Sequence, residues 1–411
     1  MTPAQHLVER LDELGRVSDE PQRLARTFLS PAMRKANALV GAWMAEAGLA
    51  VREDAVGNLI GRWAAANPGA KTFLLGSHLD TVRDAGRFDG PLGVLVALAA
   101  VEELRARRVR LPFHLEIVGF SEEEGVRFAS AYLGSKGFTG ALTEDDLARR
   151  DEAGVSVRQA LETHHGKPFT LPAPAHHSED LLGYFEVHIE QGPVLEAEDL
   201  ALGVVSAIAG QSRLRLTWRG QAGHAGTTPM RLRRDALAGA AEFVLAVEAQ
   251  ARRLPALVAT VGALEVAPGA ANVIPGEVIH TLDMRHARDD ARRAGLRHLE
   301  RAARRIAAER CLELAWEPTQ ENPATPCTAA LAELLAASVE AHQGRCPLLA
   351  SGAGHDGVIL AAQTAIVMLF VRCKGGLSHH PDEYASPADI AAALTVTVDF
   401  LERLAAKVRG G

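Results

Sequence analysis

The sequence predicts an α/β protein with a central mixed sheet, interrupted by a smaller domain of order βαββαβ. Short apolar runs such as "KTFLLGS", "FHLEIVGF" and "GYFEVHI" alternate with helix-like segments through residues 1–210, the pattern of buried strands covered by helices. From about Ser212 to Asn322 the rhythm changes to that of a split βαβ, ferredoxin-like unit. Helix-like and buried strand-like segments then return. The main domain is therefore expected at 1–210 and 326–411, and the inserted one at 211–325.

Along the first part, "PAMRKANALVGAWMAEAG" and "PLGVLVALAAVEELRARR" carry helical patterns. The apolar run of the second is too short, and too soon charged, to span a bilayer, so it predicts a buried helix. The stretch Thr139–Asp180, with "LPAPAHH", predicts helix plus loop. In the inserted domain "SRLRLTWRG" alternates apolar and polar residues, as a half-exposed strand does. "MRLRRDALAGAAEFVLAVEAQARR" predicts a helix. "LVATVGALEV" and "EVIHTLDMR" predict strands joined by the turn-rich "APGAANVIPG". A second helix, "DDARRAGLRHLERAARRIAAER", and a strand, "LELAWEPT", close the unit. "TAALAELLAASVEAHQG" and "TAIVMLFVR" then predict helix and buried strand.

The chain has 411 residues, 47% hydrophobic and 23% charged, with a formal net charge of -7. That balance fits a soluble protein and gives no reason to expect a nucleic-acid or membrane partner. The four cysteines are not in CxxC spacing, which excludes a zinc ribbon or thioredoxin motif and fits a reducing cytosol. The start, "MTPAQHLVERLDELGR", lacks the basic-then-apolar pattern of a signal peptide, so a cytoplasmic location is expected.

Polar groups concentrate where the expected strands end. His78 and Asp80 follow the first apolar run, and Asp89 stands in "RFDG". Glu122, Glu123 and Glu124 follow the second run, His188 and Glu190 end the third, and His379 and His380 follow the last. Each alone is weak: a single histidine is more often an ordinary polar residue, and a glutamate run is more often a solvated face. Together they form a mixed imidazole and carboxylate set suited to zinc, manganese or similar divalent ions, and numerous enough for two ions with a bridging carboxylate.

The motifs "GSHLDTV…FDG", "SEEEGVRF", "HIEQGPVLE", "GHAGTTPM", "ANVIPG", "SGAGHDG" and "GGLSHHPDE" resemble those of M20-type metal-dependent amidohydrolases. The narrower resemblance is to the branch of allantoate amidohydrolases, N-carbamoyl-L-amino acid hydrolases and β-ureidopropionases. It covers nearly the whole chain in order, and "HIEQGPVLE" is specific to that branch. The resemblance implies a two-metal catalytic domain with an inserted lid and dimerisation domain, hence a homodimer, and two divalent ions, with zinc, manganese, cobalt and nickel all compatible. It implies that His78 and His188 hold one ion, Glu124 and His379 the other, and that Asp89 bridges both. His380 falls in the free position of the family's SHxP pattern. Asp80 is implied behind His78, and Glu123 as the carboxylate that moves the proton. Glu122 is expected to be structural. From the lid, His224 is implied at the oxyanion. Gln191, Asn272, Arg285 and Gly354, and more weakly Arg213, are implied as substrate contacts.

The implied reaction is hydrolysis of a ureido group on a small carboxylate. The segments "DTVRDAGRFDG" and "MLFVRCKGGLSHHP" favour allantoate, giving ureidoglycine, ammonia and carbon dioxide. N-carbamoyl amino acids and N-carbamoyl-β-alanine are the alternatives, and an M20 dipeptidase or aminoacylase is a more distant one.

Overall fold

The computed structural model describes residues 2–410. It separates into two units: residues up to Ser206, Cys327–Leu349 and from Ala353 on form the first, Ala207–Pro326 with Ala350–Gly352 the second. In chain order the elements begin with α1 (Pro3–Leu14), α2 (Pro31–Glu46), β1 (Ala50–Glu53), β2 (Leu59–Trp63), β3 (Thr72–His78), α3 (Pro91–Ala106) and β4 (His114–Phe120). The short helices α4 (Leu133–Thr139), α5 (Glu144–Ala148) and α6 (Val157–His165) precede β5 (Leu181–Ile189), α7 (Val194–Ala197) and β6 (Leu202–Ile208). Then come β7 (Gly210–Arg219), β8 (Gly223–His224), α8 (Ala236–Arg253), β9 (Val258–Thr260), β10 (Leu264–Ala267), β11 (Val273–Ile274), β12 (Glu277–His286), α9 (Asp289–Glu309) and β13 (Glu313–Asn322). β14 (Thr325–Pro326), α10 (Ala329–Gln343), β15 (Leu348–Ser351), α11 (Gly357–Leu360), β16 (Ile366–Val371) and α12 (Pro387–Gly410) complete the order.

The first unit is built on a mixed sheet of order β1-β2-β4-β3-β5-β16-β6. Its middle strands β4, β3, β5 and β16 run parallel, and β1, β2 and β6 pair antiparallel at the edges. Strands β3, β4 and β16 are buried along their whole length. That is why they read as continuous apolar runs: helices cover both faces of a parallel sheet. Because the four middle strands are parallel, their carboxyl ends share one edge, the place where open α/β sheets gather ligands.

Helix α3 shows how tightly that edge is held. Every residue from Pro91 to Val101 is buried, so its apolar run reflects a helix enclosed on all sides. Gly93, one turn in, sits against β5, where a Cβ would meet the Val187 carbonyl and the Ser77 side chain. The absent side chain lets the helix lie directly on the strand that carries His188.

The second unit is an antiparallel sheet of order β10-β12-β7-β13, with β9 also on β12. Burial alternates residue by residue along most of β12, as the period of a half-covered strand requires. Trp218, Phe243, Leu282, Met284 and Ile306 lie in its core, and the buried Trp218 indole donates to His280 Nε2 at 2.9 Å.

Three local expectations differ from what is observed. The helix expected from Met230 begins at Ala236, because the Asp235 carboxylate accepts from Leu237 N and Ala238 N and caps it there. "LVATVGALEV" is two short strands, β9 and β10, with Ala263 N donating to Thr281 Oγ1 between them. The stretch Thr139–Asp180 holds two helices, each opened by a capping box. Among the described residues, no helix is long and apolar enough to cross a membrane, and the four cysteines are unpaired.

Gly93→Ala tests the close approach of α3 to β5. The added methyl meets backbone and not the end of a flexible side chain, so we expect a loss of about 1–3 kcal/mol, read as a lower urea midpoint with an unchanged slope.

Candidate metal centre

At the carboxyl edge of the first unit's sheet, one carboxylate lies among three imidazoles. Asp89 Oδ1 is 3.1 Å from His188 Nε2 and 3.7 Å from His78 Nε2, and its Oδ2 is 3.3 Å from His379 Nε2. Glu124 Oε1 is 3.4 Å from His379 Nε2. His78 is the last residue of β3, and His188 lies in β5. Asp89 precedes Gly90, whose φ of 81° and missing side chain leave room for the His78 ring.

The far nitrogens of two of these rings are fixed. His78 Nδ1 faces Asp80 O at 3.0 Å and His188 Nδ1 faces Ile189 O at 2.9 Å. A main-chain carbonyl only accepts, so Nδ1 carries the proton and Nε2 presents a lone pair to Asp89. Electron pairs facing one another need a positive charge between them. Two ligands at zinc–nitrogen and zinc–oxygen distances, spread at a tetrahedral angle, lie about 3.4 Å apart, which is the spacing found here. The donor sets His78–Asp89–His188, Asp89–Glu124–His379 and His78–Glu123–Glu124 each bring three ligand atoms within 4.8 Å of one another, so the residues fit a divalent ion.

Charge within the site tells the same story. Burial pushes the His78 imidazole down, yet the Asp80 and Asp89 carboxylates outweigh it and hold it well above its usual range. His379 rises to about 10, chiefly through Asp89 and then Glu124. Burial would raise Asp89, but His188, His379 and His78 hold it well below the carboxylate range.

Asp80 does more than sit behind His78. Its Oδ1 accepts from Glu123 N at 3.0 Å and its Oδ2 from Glu124 N at 3.2 Å, with His78 Nδ1 3.5 Å away. Behind it, the buried Arg26 guanidinium donates to the carbonyls of Leu79, Leu14 and Val17 and fixes the turn. Strand β4 ends at Phe120, and Gly125 takes a φ of 72°, so the glutamate run leaves strand geometry. Glu123 and Glu124 both line the pocket over the site. Burial, against the opposing charge of His78, holds the Glu123 carboxyl well above its usual range. Glu122 is wholly buried, near the N–H groups of Gly125 and Val126, without a well-formed hydrogen bond to its carboxylate.

Gln191 donates to Asp89 Oδ2 at 2.9 Å and to Ser378 Oγ at 3.0 Å, while Glu190 caps α7 through Val194 N and Leu195 N. His379 faces the site. His380 is turned to its own loop, where its Nδ1 accepts from Asp382 N. Tyr132, Gln191 and His379 all line the pocket and all have positive φ, of 68°, 54° and 56°. Such backbone costs about 1–3 kcal/mol each in non-glycine residues and gathers at functional sites.

Several residues here carry no expectation from the sequence. Glu383 accepts from Phe88 N and Asp89 N, both at 3.0 Å, and from Ser378 Oγ at 3.1 Å; Ser378 also donates to Asp89 at 2.9 Å. His355 is buried with its ring 4.5 Å from that of His188, and burial holds it neutral. Glu186 lies two residues before His188, on the same strand face, and takes hydrogen bonds from Ser77 and Tyr184. That period of two was the available signal for it. Tyr132, in "ASAYLGS", had none.

The remaining expected residues lie in the second unit, except Gly354, which lines the pocket. His224 is exposed in β8 beside Asn272, whose carbonyl accepts from Ala225 N at 2.9 Å. Arg213 and Arg285 both bind Asp283: Arg213 Nε at 2.9 Å, and Arg285 through Nε and a terminal nitrogen at 2.9 Å each. The flat fork expected for a substrate carboxylate is thus held by an internal one. A separate group, Glu53, His164 and His165, also has metal-type atoms. There Arg34 donates to His164 Nδ1, which leaves the proton on Nε2, 2.6 Å from Glu53, as in an ion-pair network.

Residues 74–403 match peptidase family M20/M25/M40. The chain is 41% identical to the "Probable allantoate deiminase" of Oryza sativa subsp. japonica, over 96% of this chain and 87% of that one. It is 40% identical to the N-carbamoyl-L-amino acid amidohydrolase of Geobacillus stearothermophilus, over 98% and 99%. A crystal structure of an amidase of the hydantoinase/carbamoylase family from Burkholderia multivorans superposes with a TM-score of 0.91 at 35% identity, covering 97% of each chain.

Asp80→Asn keeps one acceptor oxygen but replaces the other with a donor facing a main-chain N–H. We expect divalent-metal affinity to fall about 10–100-fold, measured by titrating stripped protein with zinc or manganese.

Proposed function

The chain belongs to peptidase family M20/M25/M40, and from that membership we propose that it hydrolyses the ureido carbon–nitrogen bond of a small carboxylate, with allantoate as the favoured substrate. The observation that carries the reading is the Asp89-centred donor set with Glu123 lining the same pocket, in a chain whose relatives are named for ureido hydrolysis. It is a hydrolase of carbon–nitrogen bonds other than peptide bonds. N-carbamoyl-L-amino acids are the second reading, because the two kinds of relative are equally similar to it, at 41% and 40% identity. N-carbamoyl-β-alanine, the β-ureidopropionase substrate, stands with them.

We assign two divalent ions, zinc or manganese, to the site: one to His78, Asp89 and His188, the other to Asp89, Glu124 and His379. Bound, they supply Lewis-acid charge and lower the pKa of a water. The chain does the rest. Glu123 takes a proton from the attacking water and returns it to the departing nitrogen. Water adds across the bond: oxygen goes to the carbamoyl carbon and hydrogen to nitrogen. The carbamate then gives ammonia and carbon dioxide, and allantoate leaves ureidoglycine. Asp80 keeps the main chain of Glu123 and Glu124 in place during the cycle. His224 is assigned to the oxyanion, and Gln191, Gly354, Asn272, Arg285 and Arg213 to the substrate. Asp283 would have to share or release the guanidiniums it now holds. The second unit is read as a ferredoxin-like lid through which a homodimer forms, in a reducing cytoplasm that keeps the cysteines as thiols.

Purified enzyme with manganese should release ammonia from allantoate with a higher kcat/KM than from N-carbamoyl-L-amino acids or N-carbamoyl-β-alanine. The reverse order would move the assignment to the second reading, and cleavage of a dipeptide alone would remove both. Glu123→Gln should lower kcat about 100- to 10,000-fold while metal content per subunit stays unchanged. Loss of metal in that variant would make Glu123 a ligand instead.

A further inference from the structure

Tyr132 stands apart among the residues around the pocket. The pocket is lined by the metal-type residues, by Glu123 and Gln191, and by Ala131, Tyr132, Ala353 and Gly354. The alanines and the glycine offer no side-chain donor, and the Gln191 amide is already given to Asp89 and Ser378. Tyr132 carries the one hydroxyl among these described lining residues.

Three features fix where that hydroxyl points. Tyr132 N donates to Glu123 O at 3.3 Å, which ties it to the strand end bearing the proposed base. Its backbone is left-handed, with φ 68° and ψ 22°, at the start of α4. No β-carbon-bearing residue takes that conformation without cost, and here the residue lines the pocket. The ring tip then occupies the space a side chain at Gly354 would need, so the two walls meet at the phenol oxygen. Burial, and then the carboxylates of Glu123, Asp356, Glu124 and Glu186, oppose ionisation of the phenol, so it stays a neutral donor. Tyr184, by contrast, donates to Glu186 below the site.

Building on the ureido-hydrolase reading above, we propose that Tyr132 is a catalytic residue whose hydroxyl donates a hydrogen bond to the carbamoyl oxygen as negative charge gathers there. A ureido carbonyl is a weak electrophile, because both nitrogens feed electrons into it, so donors aimed at the developing oxyanion count more than donors to the resting carbonyl. The proton stays on Tyr132 throughout. Glu123 moves the other proton, and no bond to the tyrosine forms or breaks. This donor belongs to the same unit as the metal-type residues and adds to the one proposed at His224.

The test is Tyr132→Phe, which removes one oxygen and keeps the ring. We expect kcat to fall about 100-fold, KM to stay within about twofold, and metal content per subunit to match the parent enzyme. A kcat within threefold of the parent would overturn the proposal. So would a raised KM at unchanged kcat, which would make the contact a ground-state one, or a parallel loss of metal, which would make the tyrosine structural. The parent enzyme's substrate panel decides the ureido reading separately. If the parent cleaved a dipeptide and no ureido compound, that reading would fail, and the same kcat comparison on the dipeptide would still decide whether Tyr132 donates.

Discussion

The site depends on one electrostatic constraint: Asp89 is surrounded by imidazole nitrogens that have lone pairs to give. Main-chain carbonyls at Asp80 and Ile189 fix the protons of His78 and His188 on the far side of each ring. Nε2 and carboxylate oxygens then face each other across 3.1–3.7 Å. Such an arrangement is stable only with positive charge in the gap. The carboxylates accordingly favour the cationic form of His78, His188 and His379, and the imidazoles in turn hold Asp89 low. A divalent ion satisfies the same geometry without protonating a ligand.

Around that centre the fold spends most of its polar groups on orientation. Glu383 holds the amides of Phe88 and Asp89, Ser378 and Gln191 both donate to Asp89, and Asp80 holds the amides of Glu123 and Glu124. Beneath lie Glu186 and Asp356, wholly buried, each raised first by burial. Buried carboxylates this close disfavour one another's charged form, and a cation among them would offset that cost. The sheet makes this possible because its parallel strands end together. Gly93 and Gly90 let α3 and the Asp89 turn approach as closely as the ligand spacing demands.

The parallel core was legible in the sequence because burial on both faces leaves apolar runs, as in β3, β4 and β16. The edge strand β1 was not, since all four of its residues are exposed and carry no pattern. Helix α8 was overextended because Met230–Arg234 has a helical composition, while the cap that decides its start is a single side chain at Asp235. The residues at the strand ends stood out as a group by type alone. Their roles came from motif order, because type cannot separate His379 from its neighbour His380. The structure separates them through a backbone φ of 56° at His379. Tyr132 shows the same limit: a left-handed turn places it, and nothing in "ASAYLGS" encodes that turn.

The glutamate run shows how adjacency and function connect. Three like charges in sequence repel, and a strand would send Glu122 and Glu124 to one face and Glu123 to the other. Instead the chain turns after Phe120, and the two oxygens of Asp80 take the consecutive amides of Glu123 and Glu124. The proposed base and the proposed ligand thus share one anchor. The anchor also lies beside the ring of His78, so a single side chain couples the position of the imidazole to that of both acids. Glu122, one residue earlier, misses the anchor and is buried behind it. Asp80 thus holds two of the three acids by their main chain, and a cation among the donor atoms would relieve the repulsion within the run.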